Sequence, residues 1–165
     1  MPGAAYVVFD GDNDKWAYGY MNDWKANKNI DFEYQDAHDL DTMTGRAQYE
    51  QYVKSKLRER MKKSTAVVVL VGEKTKNLYK YVRWELELAL ELGLPIIVAN
   101  LNKTNGQDES LRPAIIRNVA SAVHIPYTLE ALKHAMSNFP GFYHGLSWQA
   151  KAVRSPYSYE MFDKK

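Results

Sequence analysis

The run from Ala66 to Val71 (AVVVLV) is apolar at every position, and few folds can use such a segment. A strand with one wet face alternates apolar and polar residues. A strand without alternation is covered on both faces, as in the middle of a parallel sheet. Pro95 to Ala99 (PIIVA) repeats the pattern, and the segment between them, Tyr81 to Leu92, has helical periodicity. Strand, helix and strand in that order form a right-handed crossover unit.

The rest of the chain extends this unit in both directions. Ala4 to Phe9 (AAYVVF) reads as a strand stopping in the polar turn Asp10 to Asp14, with Asp14 as N-cap of the next helix. Trp16, Tyr20 and Trp24 mark that helix, which ends near Asn27 to Asn29. Asp31 to Tyr34 is a short strand, Gln35 to Gly45 a loop and Arg46 to Lys63 a helix. Gly72 to Lys80 is a loop, and Gly93 caps the helix before it gives way to Pro95. Beyond the loop Asn100 to Ser110, a short helix is expected over Pro113 to Asn118, a strand over Ala120 to Ile125 and a helix over Tyr127 to Met136. The alternation predicts an α/β fold, a doubly wound five-stranded parallel sheet of flavodoxin-like type flanked by helices. Periodicity is lost from Asn138, where Pro140, Gly141, Gly145 and Pro156 interrupt the pattern. The expected division is a domain over residues 1–137 and a tail over 138–165 that packs partly through Phe142, Trp148 and Tyr157.

With 165 residues, one domain with a substantial core is expected. The chain has no cysteine, which excludes disulfides, thiolate metal sites and a cysteine nucleophile. No apolar run approaches the length of about 18 residues that would mark a membrane span, and no secretory signal pattern opens the chain. A cytoplasmic protein is the expectation. A net charge of +2 gives no reason to expect nucleic acid as a partner. The basic residues Lys54, Lys56, Arg58 and Lys62 interleave with Tyr52, Val53, Leu57 and Met61 at helical spacing, so they read as the solvated face of a helix.

One acidic residue breaks the pattern. On a helix at about 100° per residue, Val82, Leu86, Ala89 and Leu90 share one face, while Arg83, Glu87 and Glu91 share the other. Glu85 falls between Ala89 and Leu92, inside the apolar arc. A carboxylate there costs several kcal/mol unless compensated, so it has a buried partner or looks into a ligand cavity. Tyr79, Tyr81 and Trp84 cluster just before it, equally suited to packing and to stacking on a planar ligand.

Ligands of such sheets bind at the carboxyl ends of the strands, where the strand order reverses. That crevice lies between the first and third strands, so Phe9 to Asp14, Asp36 to Thr44 and Gly72 to Lys76 are its expected lining, within reach of Glu85. A glycine-rich dinucleotide loop and a P-loop are both absent. A phosphoacceptor site is also excluded, because the third strand ends in Val71-Gly72-Glu73 and the fifth in Ile125-Pro126. Asp10, Asp12 and Asp14 read as turn and cap in preference to a metal site, His38 and His124 lack a second ligand at metal-like spacing, and His134 reads as a residue of a surface helix.

Four blocks carry a resemblance: Phe9-Asp10-Gly11-Asp12-Asn13-Asp14, Asp36-Ala37-His38-Asp39, Val71-Gly72-Glu73-Lys74-Thr75 and Tyr81-Val82-Arg83-Trp84-Glu85. In this order they resemble the bacterial TIR-like family that includes the ThsB proteins of Thoeris anti-phage defence. The likeness covers roughly Ala4 to Met136. In that family a W/Y-V-x-x-E block begins the helix after the third strand and its glutamate is catalytic, which implies that role for Glu85. Tyr81 stands where many relatives have Trp.

The resemblance implies cleavage of the nicotinamide–ribose bond of NAD+, with NAD+ as substrate and no cofactor. It also implies that Phe9, Asp10, Asp12, Asn13, Asp36, His38, Asp39 and Trp84 line the substrate pocket. Expected partners are other TIR-like copies through self-association, an effector reached through a nucleotide product, and a phage-derived trigger. The alternative is a TIR-like interaction module without catalysis.

Overall fold

Alternate residues of the four central strands enter two different cores. The computed structural model describes residues 5–26, 34–35, 47–77, 81–117, 119, 121–146 and 157–158. In chain order the elements are β1 (Ala5–Val8), α1 (Lys15–Ala26), β2 (Tyr34–Gln35), α2 (Ala47–Lys62), β3 (Ala66–Val71), α3 (Tyr81–Glu91), β4 (Ile96–Asn100), β5 (Ala122–Pro126), α4 (Leu129–His144) and β6 (Tyr157–Ser158). Short 3-10 turns occupy Thr75–Asn77 and Ala114–Ile116, the latter replacing the expected short helix.

The strands form one parallel sheet in the order β2-β1-β3-β4-β5-β6. The reversal of strand order falls between β1 and β3, as the alternation predicts. Ala5, Val7, Val68, Leu70, Ile97 and Val123 face a core closed by Ala17 and Met21 of α1 and Leu132, Ala135 and Phe139 of α4. Tyr6, Val8, Val67, Val69, Ile96 and Val98 face the other core, closed by Leu57 and Met61 of α2 and Val82, Leu86 and Ala89 of α3. Two-sided covering is why β3 and β4 read as unbroken apolar runs.

Two differences from the sequence expectation lie at the C-terminal side. The sheet gains a sixth strand, because Tyr157 and Ser158 pair with Val123 and His124 of β5. The last helix does not stop at Met136 but runs through Pro140 to His144, so the expected boundary after residue 137 falls inside it. Proline in a helix interior costs about 3 kcal/mol. That cost is offset because the apolar stripe of Leu132, Ala135 and Met136 continues into Phe139 and Tyr143, all buried. Elsewhere the local signals hold. Thr128 caps α4 by accepting from the Ala131 N–H at 3.1 Å. Gly93 adopts φ +68 past the end of α3, and the Leu94 N–H then turns back to the Ala89 carbonyl at 3.0 Å.

Candidate functional site

The loop leaving β1 is held by its own first carboxylate. Asp10 is buried, and its Oδ1 accepts the backbone N–H groups of Asp12 at 3.0 Å and Asn13 at 3.3 Å. Its Oδ2 accepts from the Asn13 side-chain amide at 2.7 Å. This is the Asx-type turn that the clustered Asp and Asn residues predict. Among the described residues no group of three or more His, Asp or Glu side chains could hold a metal ion.

Asp14 departs from the expected role. Its backbone carbonyl accepts the Ala17 N–H at 3.0 Å, but its carboxylate turns inward instead of capping α1. Among the described residues, its carboxylate accepts one side-chain hydrogen bond, from the Thr75 hydroxyl at 3.4 Å. Thr75 is itself fixed by the Gly72 N–H at 2.9 Å. Burial first, and then the neighbouring Asp10 carboxylate, hold the Asp14 carboxyl above the usual carboxylate range, with the Thr75 bond opposing and Glu73 adding to the rise. Gly72 permits this approach, since a Cβ there would lie 2.7 Å from the Asp14 carboxyl carbon. Gly72→Ala is accordingly expected to destabilise the fold by about 1–3 kcal/mol, read as a lower urea midpoint at unchanged slope.

Where these loops meet, the carboxyl edge of the sheet opens into a cleft of about 370 Å³ lined by Asn13, Asp14, Trp16, Gly72, Glu73, Lys74, Leu101, Asn102 and Leu111. Its position at the reversal of strand order is where such sheets bind ligands. Trp16 lies against its neighbours edge-on, 6.0 Å from Tyr20 and 6.4 Å from Tyr127, and remains 52% exposed.

Glu85 is only 7% exposed, and the structure supplies it with a buried partner. The Tyr6 hydroxyl donates to Glu85 Oε2 at 2.5 Å. Tyr6, fully buried in β1, faces the α2/α3 layer because strand alternation puts it opposite Val7 and Phe9. The bond thus links α3 to the strand on the far side of β3. Glu85 turns under α3 toward Tyr6 and is not among the residues that line the cleft described above. Glu87 and Glu91 are surface residues as expected, paired with Arg83 at 3.4 Å and with Arg58.

The other expected pocket residues that are described hold different places around β1 and α3. Asn13 lines the cleft. Phe9 does not; it is buried and stacked on Tyr18, with ring centroids 4.7 Å apart. Asp10 braces the turn from behind, and Asp12 points to solvent. Trp84 lines a separate groove between α2 and α3 with Gln51, Lys54, Ser55 and Arg58, where the Lys54 ammonium lies 4.7 Å from its ring centroid. Asp36, His38 and Asp39 lie outside the described residues. Sequence reasoning passed over Tyr6 and Trp16. Tyr6 reads as one more apolar residue of a buried strand, and only the pairing of β1 with β3 brings it to α3.

With this geometry in view, the chain matches over residues 6–106 the family described as Thoeris protein ThsB, TIR-like domain. The chain belongs to that family. The matched span runs from Tyr6 of β1 to the loop after β4, so it contains the cleft's β1 and β3 loops and the Tyr6–Glu85 pair. No curated protein matches the sequence. The ThsB TIR-like assignment agrees with the parallel sheet flanked by helices. Among the described residues no helix is long and apolar enough to cross a membrane.

Proposed function

We propose that this ThsB TIR-like chain cleaves the nicotinamide–ribose bond of NAD+, with Glu85 as the catalytic carboxylate. The observation that carries the reading is the buried Glu85 carboxylate, oriented by the Tyr6 hydroxyl at the position where the family places its glutamate. The chemistry fits one carboxylate. Glycosidases ordinarily use two, one of which protonates a poor leaving group. Nicotinamide leaves its cationic linkage as a neutral molecule, so the bonding electrons go to the pyridinium nitrogen and no proton is needed. What remains is to stabilise positive charge on the ribose as the bond breaks, which a fixed carboxylate in a poorly solvated site does. Capture of the ribosyl cation by water yields ADP-ribose. Capture by an atom of the same molecule or another small nucleophile yields a cyclic or conjugated nucleotide, the signal for a defence effector. NAD+ is substrate here, not cofactor, and assembly with other TIR-like copies completes the proposed picture of a cytoplasmic enzyme.

Tyr6→Phe tests the positioning. It removes one hydroxyl and is expected to lower nicotinamide release about 10-fold, the value of one hydrogen bond to a charged group. The KM for NAD+ is expected to change little, because Tyr6 is too deeply buried to touch substrate.

A second reading, a TIR-like interaction module without turnover, is favoured by one observation. The Tyr6 bond already gives Glu85 a structural use, while Trp16 and Tyr20 on α1 are each 52% exposed. It predicts no nicotinamide release in any state, with loss of self-association on substitution in the 36–45 loop.

A further inference from the structure

The segment between β4 and β5 is anchored at its ends and loose along its middle. The buried Asn100 and Pro113 bound it, and no residue from Leu101 to Arg112 is buried. Leu101, Asn102 and Leu111 form one wall of the cleft, so any displacement of the segment changes how far that site is open. The Asn100 amide tethers it by donating to the Thr104 and Gly106 carbonyls at 2.9 and 2.8 Å. The exposed Lys76 ammonium adds a tether to the Ser110 carbonyl at 2.6 Å. Lys103 is held at φ +66, a left-handed conformation that is unfavourable for a residue with a Cβ.

Under the segment, polar atoms are covered without being paired. Strand alternation turns Asn100 of β4 and His124 of β5 to the α2/α3 side of the sheet, where Leu111, Ile115 and Ile116 pack. Among the described residues, Asn100 Oδ1, Arg112 Nε and both ring nitrogens of His124 are buried with no hydrogen-bond partner. Covering such groups unpaired costs free energy that contact with water returns. The closed segment is opposed by the atoms that it covers. We propose that residues 101–112 form a lid on the cleft, hinged at Asn100 and Pro113, and that protonation of His124 opens it. Among the described residues the charged groups acting on His124 are Arg112 and Glu109, both on the lid. Its register neighbours Val98 of β4 and Ser158 of β6 are uncharged, as are Val82, Leu86 and Ala89 on the inner face of α3. With the lid closed, burial and then the Arg112 guanidinium keep the imidazole neutral, its pKa lowered to about 4. With the lid open, water reaches the ring, Arg112 leaves with the lid and the ordinary value of 6.5 returns. The open form therefore takes up the proton first, and acid favours it. The opening equilibrium is expected to rise about 10-fold between pH 7.5 and 5.5. The lid acts on the cleft whatever occupies it, and only its effect on NAD+ cleavage rests on the function proposed above.

The test is residue-resolved amide hydrogen exchange of the full chain without NAD+, at pH 7.5 and 5.5, corrected for the intrinsic effect of pH. The reporters are the Lys103 and Arg112 amides, which donate to the Asn100 and Asp108 carbonyls at 2.9 and 3.0 Å. Both are expected to open about 10-fold more at the lower pH, at a protection well below that of β3. His124→Leu is expected to abolish the difference between the two pH values. Lys76→Met cuts an exposed tether and is expected to speed exchange by the same factor at both, leaving the pH ratio intact. Reporter amides as protected as those of β3 would mean that the segment opens only with the whole fold, which overturns the lid. A pH ratio near 1 in the wild type, or one that survives His124→Leu, overturns the part given to His124. Because exchange is read without substrate, failure of the lid and failure of the NAD+ reading are separate results.

Discussion

Glu85→Gln is expected to abolish nicotinamide release from NAD+, with a loss of at least about 10²–10³ in rate, while the protein folds as before. Glutamine keeps the size of the side chain and an oxygen able to accept the Tyr6 hydroxyl, so the buried contact survives. What disappears is the negative charge that the departing nicotinamide leaves the ribose needing. Stability is expected to change by no more than about 1 kcal/mol, since one hydrogen bond is exchanged for another. Because assembly or infection can be required to complete the site, the measurement is mass spectrometry of nucleotides. Cells expressing wild-type or variant protein are compared with and without phage. A nucleotide product equally abundant in both would remove Glu85 from the mechanism, whereas unfolding without a product in either would favour the structural role alone.

A second large effect is expected at low pH, and it comes from a residue far from Glu85. His124 of β5 is fully buried, and among the described residues neither ring nitrogen has a hydrogen-bond partner. Burial above all, and then the nearby Arg112 guanidinium, lower its pKa from 6.5 to about 4, against a smaller opposing pull from Glu109. The unfolded chain therefore takes up this proton near pH 6.5 while the folded chain stays neutral until about pH 4. Between those values the unfolded state binds more protons, so stability is full above the upper value and falls as the pH drops toward the lower one. The loss from this one group approaches about 3 kcal/mol, from roughly 1.4 kcal/mol per pKa unit. His124→Leu is expected to remove that slope and to leave neutral-pH stability equal or higher, because two unsatisfied buried nitrogens go with it. Urea midpoints of both proteins at several pH values between 7.5 and 4 check this. Parallel curves for wild type and variant would show that His124 does not carry the acid sensitivity.

The legibility of this chain was uneven for reasons that can be named. Apolar periodicity placed β1, β3, β4 and the helices within a few residues, because burial on one or both faces leaves a pattern in the residues themselves. It failed at α4, where Pro140 and Gly141 signalled a stop but Phe139 and Tyr143 continued the buried stripe. It could not find β6, since a two-residue strand has no period to detect. The turn chemistry of Asp10 was readable because an Asx turn is local, spanning three residues. The inward turn of Asp14 was not, since its partner Thr75 is 61 residues away.

By itself the sequence determined the α/β class, the place where strand order reverses, the four blocks of the ThsB TIR-like family and the fact that Glu85 faces inward. The class, the reversal point and the facing of Glu85 are properties of spacing along one chain, and the four blocks are a likeness in residue identity. Tertiary structure alone decided what Glu85 meets, because Tyr6 is brought to it across β3 by a parallel pairing that no local pattern encodes. It also separated residues that adjacency had grouped. On a helix, neighbours in sequence point about 100° apart. Trp84 thus turns to the α2–α3 groove while Glu85 turns beneath α3.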